Sequence, residues 1–155
     1  MMDELNGWLI MIKIFNSKHE ISFRVLVLLN VINKNCSLDE VTSIDLFATY
    51  GKAYDMIDFN LHGDNTYTFS EITSRRKLIN DALKSLVLEG LVIPIQNAYG
   101  FTYKISEEGR IICSKMDTDY FNQYSQCVKI VNDITSNMNE KQIVTLATKK
   151  AVRKG

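Results

Sequence analysis

With 155 residues, 46% of them hydrophobic, the chain has enough apolar material for one sizeable core, and a single compact domain is expected. Eighteen Lys plus Arg balance eighteen Asp plus Glu, which excludes a global basic field that would drive nonspecific nucleic-acid binding. Cys36, Cys113 and Cys127 are an odd number at wide spacing in apolar, helix-like contexts, and they read as reduced core thiols of a cytosolic protein.

In chain order, the apolar run Trp8 to Phe15 is broken by Lys13 and is too short to span a membrane. Asp3 and Glu4 precede it where a signal peptide would carry positive charge. Residues 1–16 are expected to form an arm on the body, and periodicity leaves strand or helix open there. Ser17-Lys18-His19-Glu20 matches a capping box, predicting a helix from Lys18. Its body, Ile21 to Ile32, is apolar nearly all round and should be the central buried helix. Arg24 is the exception and reads as an ion-pair partner. A second box, Ser37-Leu38-Asp39-Glu40, predicts a helix with Leu38, Val41, Ile44 and Phe47 or Ala48 on one face. It should end near Tyr50-Gly51, with the glycine as a left-handed cap. Residues 52–67 have no clean period, and a long connection of this kind inside a compact domain tends to be functional.

Thr68-Phe69-Ser70-Glu71 predicts a third helix, with Ile72, Ile79, Ala82, Leu83, Leu86 and Val87 on one face and Gly90 as its stop. Leu91, Ile93 and Ile95, then Phe101, Tyr103 and Ile105, alternate around a turn at 96–100 and predict a hairpin with one apolar face. Pro94 makes its strand an edge or bulge strand. Ser106 caps the next helix, with Glu107 and Glu108 at its positive end. Helix, hairpin and capped helix in this order make a mainly α, winged-helix-like domain over residues 17–116. Residues 117–155 add C-terminal helices. The first, capped by Asp117 or Thr118, carries a stripe of Tyr120, Phe121, Tyr124, Cys127, Val128, Val131 and Ile134. The second runs from Glu140 to about Ala151. Between residues 138 and 155 five basic side chains face only Glu140, a net +4 that leaves −4 on residues 1–137.

Nothing in these residues assembles a catalytic set. There is no glycine-rich phosphate loop, no Gly-x-Ser-x-Gly, no paired His or Cys ligand spacing and no implied cofactor. His62 with Asp64 comes nearest to a site, yet hydrogen bonds that fix a loop explain the pair as well. If the third helix entered a DNA groove, its outward face would hold Ser74, Lys77, Asp81, Lys84 and Ser85, a thin phosphate-binding surface. Arg75 and Arg76 fall at the edges of the buried face, where a guanidinium must meet a carboxylate or backbone oxygens. Asp64, Asp45 and Glu71 are candidate partners for them. Candidates for partner docking are the hairpin tip with Tyr99 and the Tyr120–Tyr124 stripe, for which core packing is the competing reading. Secondary DNA contacts could come from Lys77, Lys84, Lys149, Lys150, Arg153 and Lys154.

Several stretches taken together carry a family resemblance. They are Phe15-Asn16-Ser17 leading to Glu20 and Arg24, Asp45-Leu46 to Gly51, Leu61-His62-Gly63-Asp64, Glu71 with Arg75-Arg76 and Leu78, Gly90-Leu91-Val92, and Gly100-Phe101-x-Tyr103. Over roughly residues 15–135 the chain resembles the middle component of bacterial ABC-three-component systems, the small accessory subunit of Lamassu-type anti-phage and anti-plasmid defence operons. Gly63 stands where that family usually has Pro, and residues 1–14 and 139–155 lie outside the resemblance. It implies a non-enzymatic cytoplasmic subunit whose partners are an SMC-like ATPase and a nuclease-type effector, which it helps to hold inactive until foreign DNA is sensed. On the residues alone, a winged-helix transcription regulator remains the alternative.

Overall fold

The computed structural model of the chain describes residues 16–63 and 69–154. The expected arm before residue 16, Asp64 and the Thr68 cap lie outside the described residues. The architecture is mainly helical, with a small antiparallel sheet. In order it comprises α1 (Asn16–Ile32), β1 (Cys36–Ser37), α2 (Leu38–Thr49), α3 (Phe69–Leu88), β2 (Val92–Asn97), β3 (Gly100–Ile105), α4 (Glu107–Ser114), α5 (Asp119–Thr135) and α6 (Glu140–Lys154). The strands are ordered β1-β3-β2.

Helix α1 begins at Asn16, so Ser17 sits inside the helix and not at its cap as the capping-box pattern suggested. From Phe23 to Leu29 every residue is buried, in keeping with an all-round apolar sequence. The helix ends at Asn33, which takes a left-handed conformation (φ 53°) while its N–H donates to the Leu29 carbonyl. Ser37 caps α2 with the reciprocal Glu40 bond of a capping box.

Helix α2 differs from the one-faced helix its periodicity suggested. Residues Val41 to Thr49 are all buried because α1, α3, α5 and α6 pack around it. Its hydroxyls survive burial by bonding backward to their own turn: Thr42 donates to the Leu38 carbonyl (2.8 Å) and Thr49 to that of Asp45 (2.8 Å). The core therefore has two central helices, α1 and α2. Gly51 is also not a left-handed cap. A Cβ there would come within 2.6 Å of Ile57, so glycine is required by close packing. Beyond it, residues 50–63 wind tightly. The Asn60 side chain accepts from the N–H groups of Lys52 and Ala53, and the His62 N–H donates to the Thr49 carbonyl (3.0 Å).

Gly90 (φ 77°) closes α3 as expected. In the hairpin, Val92 pairs with Ile105, Pro94 with Tyr103 and Ile95 with Thr102, around a two-residue turn at Ala98-Tyr99. This register overturns the single apolar face. Directly paired residues share a face, so Val92, Tyr103 and Ile105 point one way while Ile93 and Ile95 point the other. Val92 and Ile105 are buried, and Ile93 and Phe101 stand in solvent. Pro94 lies on the edge strand, where its missing donor is tolerated.

Helix α4 docks on the hairpin base. Ser106 Oγ accepts from the Gly109 N–H and donates to the Gly90 carbonyl (2.7 Å). Helix α5, capped by Thr118, buries Phe121, Tyr124, Cys127, Val128, Val131 and Thr135. Its stripe thus ends on Thr135, whereas Ile134 is exposed. The thiols are free. Cys36 sits in strand β1, not in a helix, and is buried with Cys127, while Cys113 is half-buried. Burial pushes the thiols of Cys36 and Cys113 up to about 12, so both stay protonated and unreactive. Among the described residues no helix is long and apolar enough to cross a membrane.

Candidate functional site

The most elaborate polar arrangement is built around Asp45, at the middle of α2 and only 1% exposed. Its Oδ1 accepts from Arg24 Nε of α1 (2.9 Å) and from the Tyr124 hydroxyl of α5 (2.6 Å). Its Oδ2 accepts from Arg24 Nη2 (3.0 Å) and from Arg75 Nη1 of α3 (3.1 Å). Four charge-assisted bonds from three helices thus saturate one carboxylate. Arg75 Nη1 also donates to Thr49 Oγ1 (2.7 Å), and its guanidinium lies 5.2 Å from the centre of the Tyr50 ring, a cation–π distance. Arg24 reaches Glu20 as well (3.5 Å), so two arginines balance two carboxylates.

Burial alone would raise the Asp45 carboxyl, but the Arg24 and Arg75 guanidinium groups and the Tyr124 hydroxyl outweigh it and hold it well below the usual carboxylate range. Burial likewise opposes the charge of Arg24, and Asp45 more than restores it. The Tyr124 phenol is pushed well up by burial and by the neighbouring Asp45.

A second chain of bonds leads to the surface. His62 Nε2 lies 2.6 Å from the Tyr120 hydroxyl, and the two rings stack at 6.0 Å. Burial, with Glu20 and Asp45 nearby and against the pull of Arg24, pushes the Tyr120 phenol up, so it stays protonated near pH 7. Which of His62 and Tyr120 donates in their bond follows from the imidazole tautomer. Burial, reinforced by Arg24 and Arg75 against Asp45, pushes the His62 imidazole down to about 4, so it is neutral near pH 7. The His62–Tyr120 bond therefore ties the 50–63 segment to α5, while Arg24 with Glu20 and Asp45 ties α1 to α2.

Over residues 14–155 the sequence matches the family model described as ABC-three component (ABC-3C) system Middle Component 2. The chain belongs to this family. No curated protein and no solved structure matches it. The match takes in residues 139–155, which the initial resemblance left out.

In this middle component the structure sorts the sequence candidates. Arg75 joins the Asp45 hub, while Asp64 and the side chain of Glu71, its other candidate partners, lie outside the described part. Arg76 pairs instead with Asp39 of α2 (2.7 Å), with the two side chains 51% and 43% exposed, a surface pair of small energetic weight. Tyr124 is fully buried, so its place is the hub and not a docking surface. Tyr120 is half-buried in the His62 chain. Tyr99 is 100% exposed at the hairpin turn, where its N–H donates to the Asn97 side chain (2.9 Å). Lys77 and Lys84 are exposed on α3 and Lys149 on α6, while the side chains of Lys150, Arg153 and Lys154 lie outside the described part. Asp64 does too. Among the described residues no group of three or more His, Cys, Asp or Glu could hold a metal ion. The contributions of Glu20, Thr49 and Tyr50 went unnoticed in the sequence, where Arg24 in an apolar helix and Arg75 at the edge of a buried face were the signals of ion pairing.

Proposed function

We propose that this middle component is a non-catalytic accessory subunit of a Lamassu-type defence complex, acting in the cytoplasm. It bridges an SMC-like ATPase and a nuclease-type effector and helps keep the effector inactive until foreign DNA is sensed. Membership in the Middle Component 2 family carries the reading. The finer identity of system and partners rests on the sequence resemblance.

The fold is read as a winged helix. Support comes from the order helix, strand, two helices and hairpin, with β1 joining the hairpin in the order β1-β3-β2. The non-catalytic role is supported by the state of the polar groups. The hub carboxylate accepts four bonds, which leaves Asp45 no free lone pair with which to act as a base. A protein-binding use of the winged fold is argued by fold-level analogy.

The test is co-expression with the reading frames on either side. A stable complex of fixed stoichiometry with an ATPase and an effector subunit is expected, and a monodisperse chain that ignores both overturns the proposal. One observation favours a second reading, a winged-helix transcription regulator: Lys77 and Lys84 are both exposed on α3. That reading requires duplex binding that weakens steeply with salt. Unchanged function in vivo after Lys77→Glu plus Lys84→Glu removes it.

A further inference from the structure

Helix α6 is fixed at several points along its length. Asn139 and Gln142 exchange backbone-to-side-chain bonds at its start (2.9 and 2.8 Å). Glu140 accepts from Ser37 Oγ (2.9 Å), and the Tyr54 hydroxyl donates to the Ala147 carbonyl (3.3 Å). Ile143 and Ala147 are buried in the core. The opposite side of the helix is open. There, Met138, Lys141, Gln142, Thr145, Leu146 and Lys149 line a shallow groove of about 410 Å³. Met138 and Leu146 are half-buried against the core and form an apolar floor. Lys141 and Lys149 stand exposed above it, eight residues apart and hence about 12 Å along the axis. The lining holds no acidic side chain, and among the described residues no carboxylate is ion-paired with either lysine.

We propose that this groove docks an acidic amphipathic helix of a partner subunit, with apolar side chains on Met138 and Leu146 and carboxylates about two turns apart on Lys141 and Lys149. The inference rests on the accessory-subunit reading and names the surface that reading needs. Charge complementarity selects an acidic occupant. The floor selects protein over nucleic acid, because a phosphodiester backbone has nothing apolar to set against methionine and leucine. The anchoring of α6 between Asn139 and Ala147 means that little ordering cost falls on this side of the interface.

A photo-crosslinking residue at the exposed Thr145, in the full chain co-expressed with the neighbouring subunits, tests the assignment. The expected result is a crosslink to an acidic, apolar-faced segment of a co-purified subunit. Lys141→Glu plus Lys149→Glu should weaken the complex by roughly tenfold or more without lowering the melting temperature. Lys77→Glu plus Lys84→Glu on α3 should leave the complex intact. A complex that forms normally with no crosslink at Thr145, and with full affinity after the α6 reversal, overturns the groove while leaving the accessory reading in place. Crosslinks confined to a second copy of this chain, or lost on adding duplex DNA, also overturn it. Absence of any complex overturns both.

Discussion

The Asp45 hub and the β2–β3 hairpin show two ways of using the same residue types. At the hub, charged and aromatic side chains are buried and every carboxylate oxygen has two donors. At the hairpin, Ile93, Tyr99 and Phe101 are exposed. Buried polar groups are costly unless satisfied, so the hub fixes a single arrangement of α1, α2, α3 and α5. The hairpin carries no such obligation, and its exposed apolar side chains are left for something outside the chain.

The sharpest way to break this contrast is Asp45→Asn. The amide keeps the shape but removes the charge that holds two buried guanidinium groups, and a loss of about 3–5 kcal/mol is expected in urea unfolding. A loss below about 1 kcal/mol would mean that water or another anion neutralises Arg24 and Arg75, and the hub would then not specify the helix arrangement.

Next comes the joint between α4 and the hairpin. A Cβ on Gly109 would lie 2.4 Å from the Leu91 carbonyl oxygen and 2.7 Å from Ile105. Backbone cannot yield as a side-chain tip can, so Gly109→Ala should cost about 1–3 kcal/mol by the same unfolding measurement, despite its better helix propensity. Equal stability would show that the hairpin shifts freely on the body.

A pH titration separates the two parts of the polar network. The folded His62 has its pKa depressed to about 4 from 6.5. Between these values the unfolded chain binds more protons, so stability is complete above pH 6.5 and falls as the pH drops towards 4. The expected loss is on the order of 2 kcal/mol for a half-buried ring. Asp45, held below the carboxylate range, adds its own loss only below about pH 4. His62→Gln keeps a neutral side chain that can bond to Tyr120 and should flatten melting temperature against pH in the upper window alone. A slope that persists in this variant would assign the titration elsewhere.

How much of this was legible follows from what periodicity encodes. The helices of the body were legible in apolar spacing, with caps at Ser37, Ser106 and Thr118, and Arg24 stood out because a cation inside an all-round apolar helix must have a partner. Asp45 was one of three candidate partners for Arg75 and Arg76, and nothing in the sequence set it apart from Asp64 and Glu71. It lies among Thr42, Ser43 and Thr49, which look like a solvated face, and spacing reports which residues share a side but not how many helices pack around them. The hairpin was recognised and its faces were not. Alternation within each strand was plain, but the pairing between strands depends on turn length, and a two-residue turn in place of the expected five moved Ile93 and Ile95 to the side opposite Tyr103 and Ile105. Tyr99 does lie exposed at the hairpin turn, because its place there does not depend on register.

The smallest expected effect on stability is the most informative about the hairpin. Tyr99→Ser plus Phe101→Ser removes two side chains that are 100% and 53% exposed, and the melting curve should move by no more than about 0.5 kcal/mol. Aromatic side chains in such positions commonly anchor an interface, so the same pair of changes should weaken assembly with the neighbouring subunits by tenfold or more, about 1.4 kcal/mol. Pull-down of the co-expressed subunits beside a thermal melt gives both readings from one preparation. Loss of stability with unchanged assembly would reverse the contrast between hub and hairpin: the tip would then serve the fold, and docking would rest on other surfaces such as the α6 groove.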